Sequence, residues 1–110
     1  MLTVSLHGIK IHMPHGLYPQ EEVLGNHFEV DVDITLPGAQ PWPYVDYTLV
    51  HKVATGIFRQ REQLLETIVY NMHTALKTLV PAALTIKVAV RKMRPPMNGE
   101  TAYAQVCYEA

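Results

Sequence analysis

Apolar and polar residues alternate from the start of the chain. Leu2, Val4 and Leu6 alternate with Thr3, Ser5 and His7; across Gly8 the phase shifts by one, and Ile9, Ile11 and Met13 then carry the apolar positions. A period of two is that of a strand with one wet face, and a phase change at a glycine predicts a β-bulge. Residues 27–35, HFEVDVDIT, give the clearest alternation in the chain. Phe28, Val30, Val32 and Ile34 share one side, while Glu29, Asp31 and Asp33 share the other. One face of this second strand is expected to be buried and the other solvated.

From Val45 to about Gln60 the spacing becomes helical: Val50, Val53, Ala54, Ile57 and Phe58 fall on one stripe, with Asp46 placed to cap the N-terminus. A second helix follows in LLETIVYNMHTALKTLV, where Leu65, Ile68, Val69, Met72, Leu76 and Leu79 form the stripe and Pro81 ends it. Thr85 to Arg91 returns to alternation, with Ile86, Val88 and Val90 on one face. A last strand over Thr101 to Glu109 is reached through an Asn98-Gly99 turn. The order β-β-α-α-β-β predicts an α+β fold, a four-stranded antiparallel sheet with both helices on one face. Such a sheet has two edges, and joining the sheets of several subunits into a closed barrel would protect them. A homo-oligomer built from one domain spanning residues 1–110 is the expectation.

Composition narrows the function classes. Nine basic and ten acidic residues, a net charge of −1 and no run of one sign argue against nucleic acid or an anionic membrane as partner. No stretch has the length of a membrane span and the N-terminus lacks the form of a signal peptide, so a soluble, cytoplasmic protein is expected. The single cysteine, Cys107, has no intramolecular disulfide partner and reads as a small core hydrophobe. His7, His12 and His15 invite a metal, but neither an HExxH helix nor a cysteine pair accompanies them, and no metal site is expected. The six glycines are dispersed and form no phosphate loop.

Four short stretches carry candidate chemistry. Lys92 continues the parity of Ile86, Val88 and Val90 and so projects on the buried side at a strand end. It is either a lysine whose ammonium snorkels to water or a partly desolvated group suited to proton transfer. Pro95-Pro96 follows and stiffens the chain. Glu66, near the start of the second helix, either answers the helix dipole or clamps a bidentate donor such as an amidine edge. Glu21 and Glu22 fall in a polar loop after the first strand. Tyr47, at the entrance of the first helix, has a half-buried packing role as its plain reading.

The order of these pieces is more informative than any one of them. HG-x4-EE-x2-G-x2-F-x-VDV at His15 to Val32, VDY at Val45 to Tyr47, LLE at Leu64 to Glu66 and K-x2-PP-x2-G at Lys92 to Gly99 together resemble the dihydroneopterin aldolase family of folate biosynthesis, across nearly the whole chain. The resemblance implies a tunnelling fold, with sheets joined across subunits in a homo-tetrameric barrel or a stacked homo-octamer and active sites between subunits. It implies cleavage of a pterin substrate, 7,8-dihydroneopterin, to 6-hydroxymethyl-7,8-dihydropterin and glycolaldehyde, without metal or other cofactor, and in many members 2′-epimerisation as well. By motif position, Glu66 would anchor the pterin ring, Lys92 would act in proton transfer, Tyr47 would assist from a neighbouring subunit, and Glu21 would meet the side chain or order a water. His15, Leu65 and Val45 would line the pocket. Two other readings share the fold: an epimerase of dihydroneopterin triphosphate, for which Arg91 and Arg94 are candidate phosphate ligands, and a non-catalytic pterin- or purine-binding protein. The segment QPWPYVDY departs from the family pattern, since Pro43 and Tyr44 stand where members carry an Asp- and Thr-containing stretch.

Overall fold

The structure is a computed structural model that describes residues 1–13, 26–58, 64–95 and 97–110. The described residues form β1 (Leu2–Met13), β2 (Asn26–Leu36), α1 (Tyr47–Phe58), α2 (Leu65–Leu79), β3 (Thr85–Met93) and β4 (Tyr103–Glu109). The strands make one antiparallel sheet in the order β1-β2-β3-β4, so β1 and β4 are its two edges within the chain. Helix α1 packs on β1, and α2 packs on α1, β3 and β4. This is the expected α+β layer arrangement, with both helices on one face.

The bulge lies where the phase change puts it. Leu6 pairs with Val32 and Ile9 with Val30, so that His7 and Gly8 together stand opposite Asp31. Gly8 has a φ of +72°, in the left-handed region where a side chain is strained, and its N–H donates to the Asp31 carboxylate at 2.8 Å. The extra residue keeps Leu2, Val4 and Leu6 on the same face as Ile9 and Ile11, toward the helices. Without it, half the apolar residues of β1 would point away from the core.

The core is the apolar face of β2 and β3 against the helical stripes. Phe28, Val30, Val32, Ile34 and Leu36 are each at most 1% exposed, and Ala54, Phe58, Ile68, Met72 and Leu76 answer them from the helices. Asp46 caps α1: its carboxylate accepts from the Thr48 N–H at 3.0 Å and from the Thr48 hydroxyl, and these bonds hold its pKa below the usual carboxylate value. At the far end of α2, the Lys77 ammonium donates to the carbonyls of Pro81 and Ala83, which ties the helix exit to the start of β3. No helix among the described residues is long and apolar enough to cross a membrane.

Two expectations need correction. Cys107 is exposed, because it pairs with Ala89 on the face of β4 turned away from the helices; Val106 and Tyr108 take the inward positions instead. The connection from β3 to β4 is also longer than a two-residue hairpin turn. Pairing ends at Met93–Tyr103, and a loop closed by the Arg94 N–H on the Ala102 carbonyl at 2.9 Å contains Gly99 at φ +81°.

Candidate active site

Lys92 ends the inward face of β3. Its ladder partners are Phe28 on β2 and Ala104 on β4, and Phe28 in turn pairs with Ile11. One row of the sheet therefore reads Ile11, Phe28, Lys92, Ala104 on the helical side. Phe28 is 1% exposed and its ring meets that of Phe58, the last residue of α1, at 5.1 Å. The lysine stem is thus half-buried beside an aromatic pair, at the end of the sheet toward which the C-terminus of α1 points.

Glu66 and Leu65 open α2. The N-cap residue is Leu64, whose side chain makes no capping hydrogen bond; its carbonyl accepts from the Ile68 N–H at 3.1 Å. The first backbone N–H groups of α2 therefore lack a side-chain acceptor from the N-cap position, and the Glu66 carboxylate stands in their field. Leu65 packs partly into the core, while Glu66 is exposed. Because α2 runs into β3 through a short connection and lies antiparallel to it, its N-terminus sits toward the sheet end where β3 finishes at Lys92. The structure brings Glu66, Leu65 and Lys92 to one end of the fold.

Val45 and Tyr47 lie at the other end. Val45 is 8% exposed and, with Tyr44, Leu36, Leu49, Leu79 and Val80, lines a cleft of about 360 Å³ beyond the end of β2. Leu36 is eight residues along β2 from Phe28, about 26 Å at the rise of a strand. Tyr47 is 61% exposed, so it has no packing role inside the chain, contrary to its plain reading; Trp42 and Tyr44 are 59% and 86% exposed beside it. Within one chain, Tyr47 cannot meet a ligand held at Lys92. Glu21 and His15, the remaining candidates, lie outside the described residues, as do Glu22 and one of the paired prolines, Pro96.

The open face of the sheet carries a polar network that the sequence reading did not assemble. Arg91 donates to both oxygens of Asp31, at 2.8 and 3.0 Å, and to Gln105 at 3.2 Å; it lies 3.5 Å from Glu29 and over the Tyr103 ring at 5.8 Å. The guanidinium bond, with help from the Gly8 N–H, holds the Asp31 carboxyl below the usual range, and Asp31 raises Arg91 in turn. Beside it, Asp33 meets His7 at 2.8 Å and accepts from the Ser5 hydroxyl. Alternation alone marked these residues as polar. Only the register, in which the bulge sets His7 and Gly8 across from Asp31, shows which of them meet.

Among the described residues no group of three or more histidine, cysteine or acidic side chains is placed to hold a metal. His7 is engaged by Asp33, while His12 stacks on His27 with ring centroids 4.3 Å apart.

Comparison with known proteins agrees with this architecture. No curated protein sequence matches the chain significantly. Among solved structures, dihydroneopterin aldolase of Escherichia coli in complex with neopterin superposes with a TM-score of 0.82 at 12% identity, covering 100% of this chain and 99% of that one. A FolB-type protein of Vibrio cholerae O1 biovar El Tor gives 0.79 at 17% identity, covering 100% and 97%. Burkholderia dihydroneopterin aldolase bound to guanine gives 0.73 at 17% identity, covering 99% and 89%. At such identities the superpositions speak for the tunnelling fold alone. The family model FolB, dihydroneopterin aldolase, matches residues 4–109, which is nearly the full length, and on that match the chain belongs to the dihydroneopterin aldolase family.

Proposed function

We propose that this protein is a dihydroneopterin aldolase acting on 7,8-dihydroneopterin, with its active site shared between two copies of the chain. The observation that carries the proposal is the placement of Lys92: a cation ending an otherwise apolar strand face, at the same end of the fold as the Glu66 carboxylate and the start of α2. In the proposed site Glu66 accepts paired hydrogen bonds from the amino-pyrimidine edge of the pterin, and Leu65 lines the ring. Lys92 moves protons, directly or through a water. Tyr47, with Val45 behind it, comes from the neighbouring copy. His15 and Glu21 complete the pocket by their motif positions.

The chemistry suits so small a set of residues. The dihydropterin has a C=N bond next to the carbon chain. The hydroxyl beyond the breaking bond gives up its proton, the carbon–carbon electron pair moves toward that C=N bond, and glycolaldehyde leaves. The remaining carbon is then reprotonated. The electron sink is in the substrate, so the protein has only to place the ring and carry protons.

The assembly follows from the same separation. Continuing the sheet from the β4 edge of one copy to the β1 edge of the next gives the proposed barrel and removes both edges. Barrel closure requires a stagger between strands, so each copy is displaced along the strand direction relative to its neighbour. A displacement of that kind is what moves the Tyr47 end of one copy toward the Lys92 end of another. A ring of four, or two such rings stacked, is the proposed state, in solution in the cytoplasm.

Arg91 weighs against a triphosphate substrate: its guanidinium is committed to Asp31 and Glu29 on the open face, away from Lys92. The deciding assay incubates the protein with 7,8-dihydroneopterin, with and without EDTA, and follows glycolaldehyde and the hydroxymethyl product. Turnover unaffected by chelator supports the proposal. Binding without turnover would make the protein a pterin-binding member of the family, and recovery of substrate altered only at its 2′ carbon would make it an epimerase.

A further inference from the structure

The end of the fold that carries Tyr47 holds a second tyrosine, Tyr44, in the segment QPWPYVDY that departs from the family pattern. Tyr44 is 86% exposed, and it lines the cleft of about 360 Å³ whose floor includes Leu36, Val45, Leu79 and Val80. Pro41 and Pro43 bracket Trp42, so the backbone leading into Tyr44 is restricted and presents the side chain from a stiff support. Trp42 is exposed as well but does not line the cleft. Of the two aromatic residues in the departed segment, Tyr44 is therefore the one beside Val45 and Tyr47.

Charge decides what kind of molecule suits this cleft. Among the described residues that line it Asp46 alone is charged, and its carboxylate is engaged by the Thr48 N–H and hydroxyl as the cap of α1. An apolar floor with a tyrosine beside it offers contact area and a π-face, and little to hold an ionic group. A flat, uncharged ring system matches that surface. A tyrosine on a stiff backbone also loses little conformational freedom when such a ring is laid against it.

We propose that Tyr44 is a specificity-determining residue of the shared site, packing its ring face on the fused heterocycle that the other copy holds by its edge at Glu66. The inference rests on the aldolase reading. Hydrogen bonds at Glu66 read only the amino-pyrimidine edge, which a single ring such as 2-amino-4-hydroxypyrimidine also carries. Tyr44 adds selection for the fused, flat bicycle, by stacking, where other members have polar side chains. Stacking on a ring that reacts only in its side chain is nearly equal in ground and transition states, so its loss should appear in KM and not in kcat.

The test measures binding of neopterin and of 2-amino-4-hydroxypyrimidine by calorimetry, turnover of 7,8-dihydroneopterin, and oligomeric state by sedimentation, in wild type, Tyr44→Phe, Tyr44→Ala and Trp42→Ala. Tyr44→Ala should weaken neopterin binding and raise KM by about tenfold, with kcat within about twofold and the assembly unchanged. The same variant should weaken the single-ring ligand by less than about threefold, while Tyr44→Phe and Trp42→Ala should stay within about threefold of wild type for neopterin. Unchanged neopterin affinity in Tyr44→Ala, equal weakening of both ligands, or loss of the assembly in that variant would overturn the proposal. A wild-type protein that neither binds neopterin nor turns over 7,8-dihydroneopterin would instead remove the aldolase reading, and this inference with it.

Discussion

Phe28 and Lys92 are cross-strand partners: the ladder of β2 and β3 sets a ring that is 1% exposed directly beside a half-buried ammonium stem. The pair divides structural from chemical roles at one position of the sheet. Phe28→Ala should destabilise the fold by about 3–5 kcal/mol, since it also empties the contact with Phe58. Lys92→Met keeps the stem and removes the charge, so thermal stability should stay nearly constant while turnover of 7,8-dihydroneopterin falls by about 10²–10⁴. Full activity in Lys92→Met would remove the lysine from the mechanism.

Glu66 should show the opposite kinetic signature. If its carboxylate holds the ring through charge-assisted hydrogen bonds, Glu66→Ala weakens pterin binding by about 1.5–3 kcal/mol, roughly ten- to a hundredfold, as read by fluorescence titration with neopterin. Because the side chain is exposed and stands in the first turn of α2, the melting temperature should change little.

Subunit mixing tests the shared site. Lys92→Met and Tyr47→Ala should each be poorly active alone, yet a mixture denatured and refolded together should recover activity. Random assembly of equal amounts pairs an intact lysine end with an intact tyrosine end in about a quarter of the interfaces. If mixing restores nothing, the two residues do not serve one site from different copies.

Acid stability should depend on the open face. The Asp31 pKa is lowered in the folded chain, first by the Arg91 hydrogen bonds, so its contribution is present above the unfolded carboxylate pKa and is lost as pH falls through the folded value. Wild-type protein should therefore lose melting temperature below about pH 4, and Asp31→Asn should lose less over that interval while starting lower at neutral pH. Parallel profiles for the two proteins would show that Asp31 is not the group responsible.

Much of this fold was legible because its strands keep strict parity. HFEVDVDIT maps position by position onto the observed inward and outward faces, the shift at Gly8 is the observed bulge, and the parity of Ile86, Val88 and Val90 places Lys92 correctly. Cys107 was misread from its residue type and not from parity: it shares its side of β4 with Tyr103, Gln105 and Glu109, whereas Ala104, Val106 and Tyr108 form the inward set. Tyr47 escaped for a different reason. Sequence spacing carries no information about which end of a layer a loop reaches, so the separation of the Tyr47 end from the Lys92 end appears only once α1 is seen to run toward Phe28. The Asp31–Arg91 pair, sixty positions apart in the chain, likewise needed the strand register.

The Gly8 bulge has a consequence beyond the parity of β1. A bulge bends its strand and increases the local twist, and in the proposed assembly β1 is the edge that each copy offers to the next. Head-to-tail contacts of this kind generate either a closed ring or an open filament, according to the angle turned at each step. If the copies close into the proposed ring, one residue in β1 would be a determinant of its stoichiometry: deleting it would alter the curvature on which closure depends.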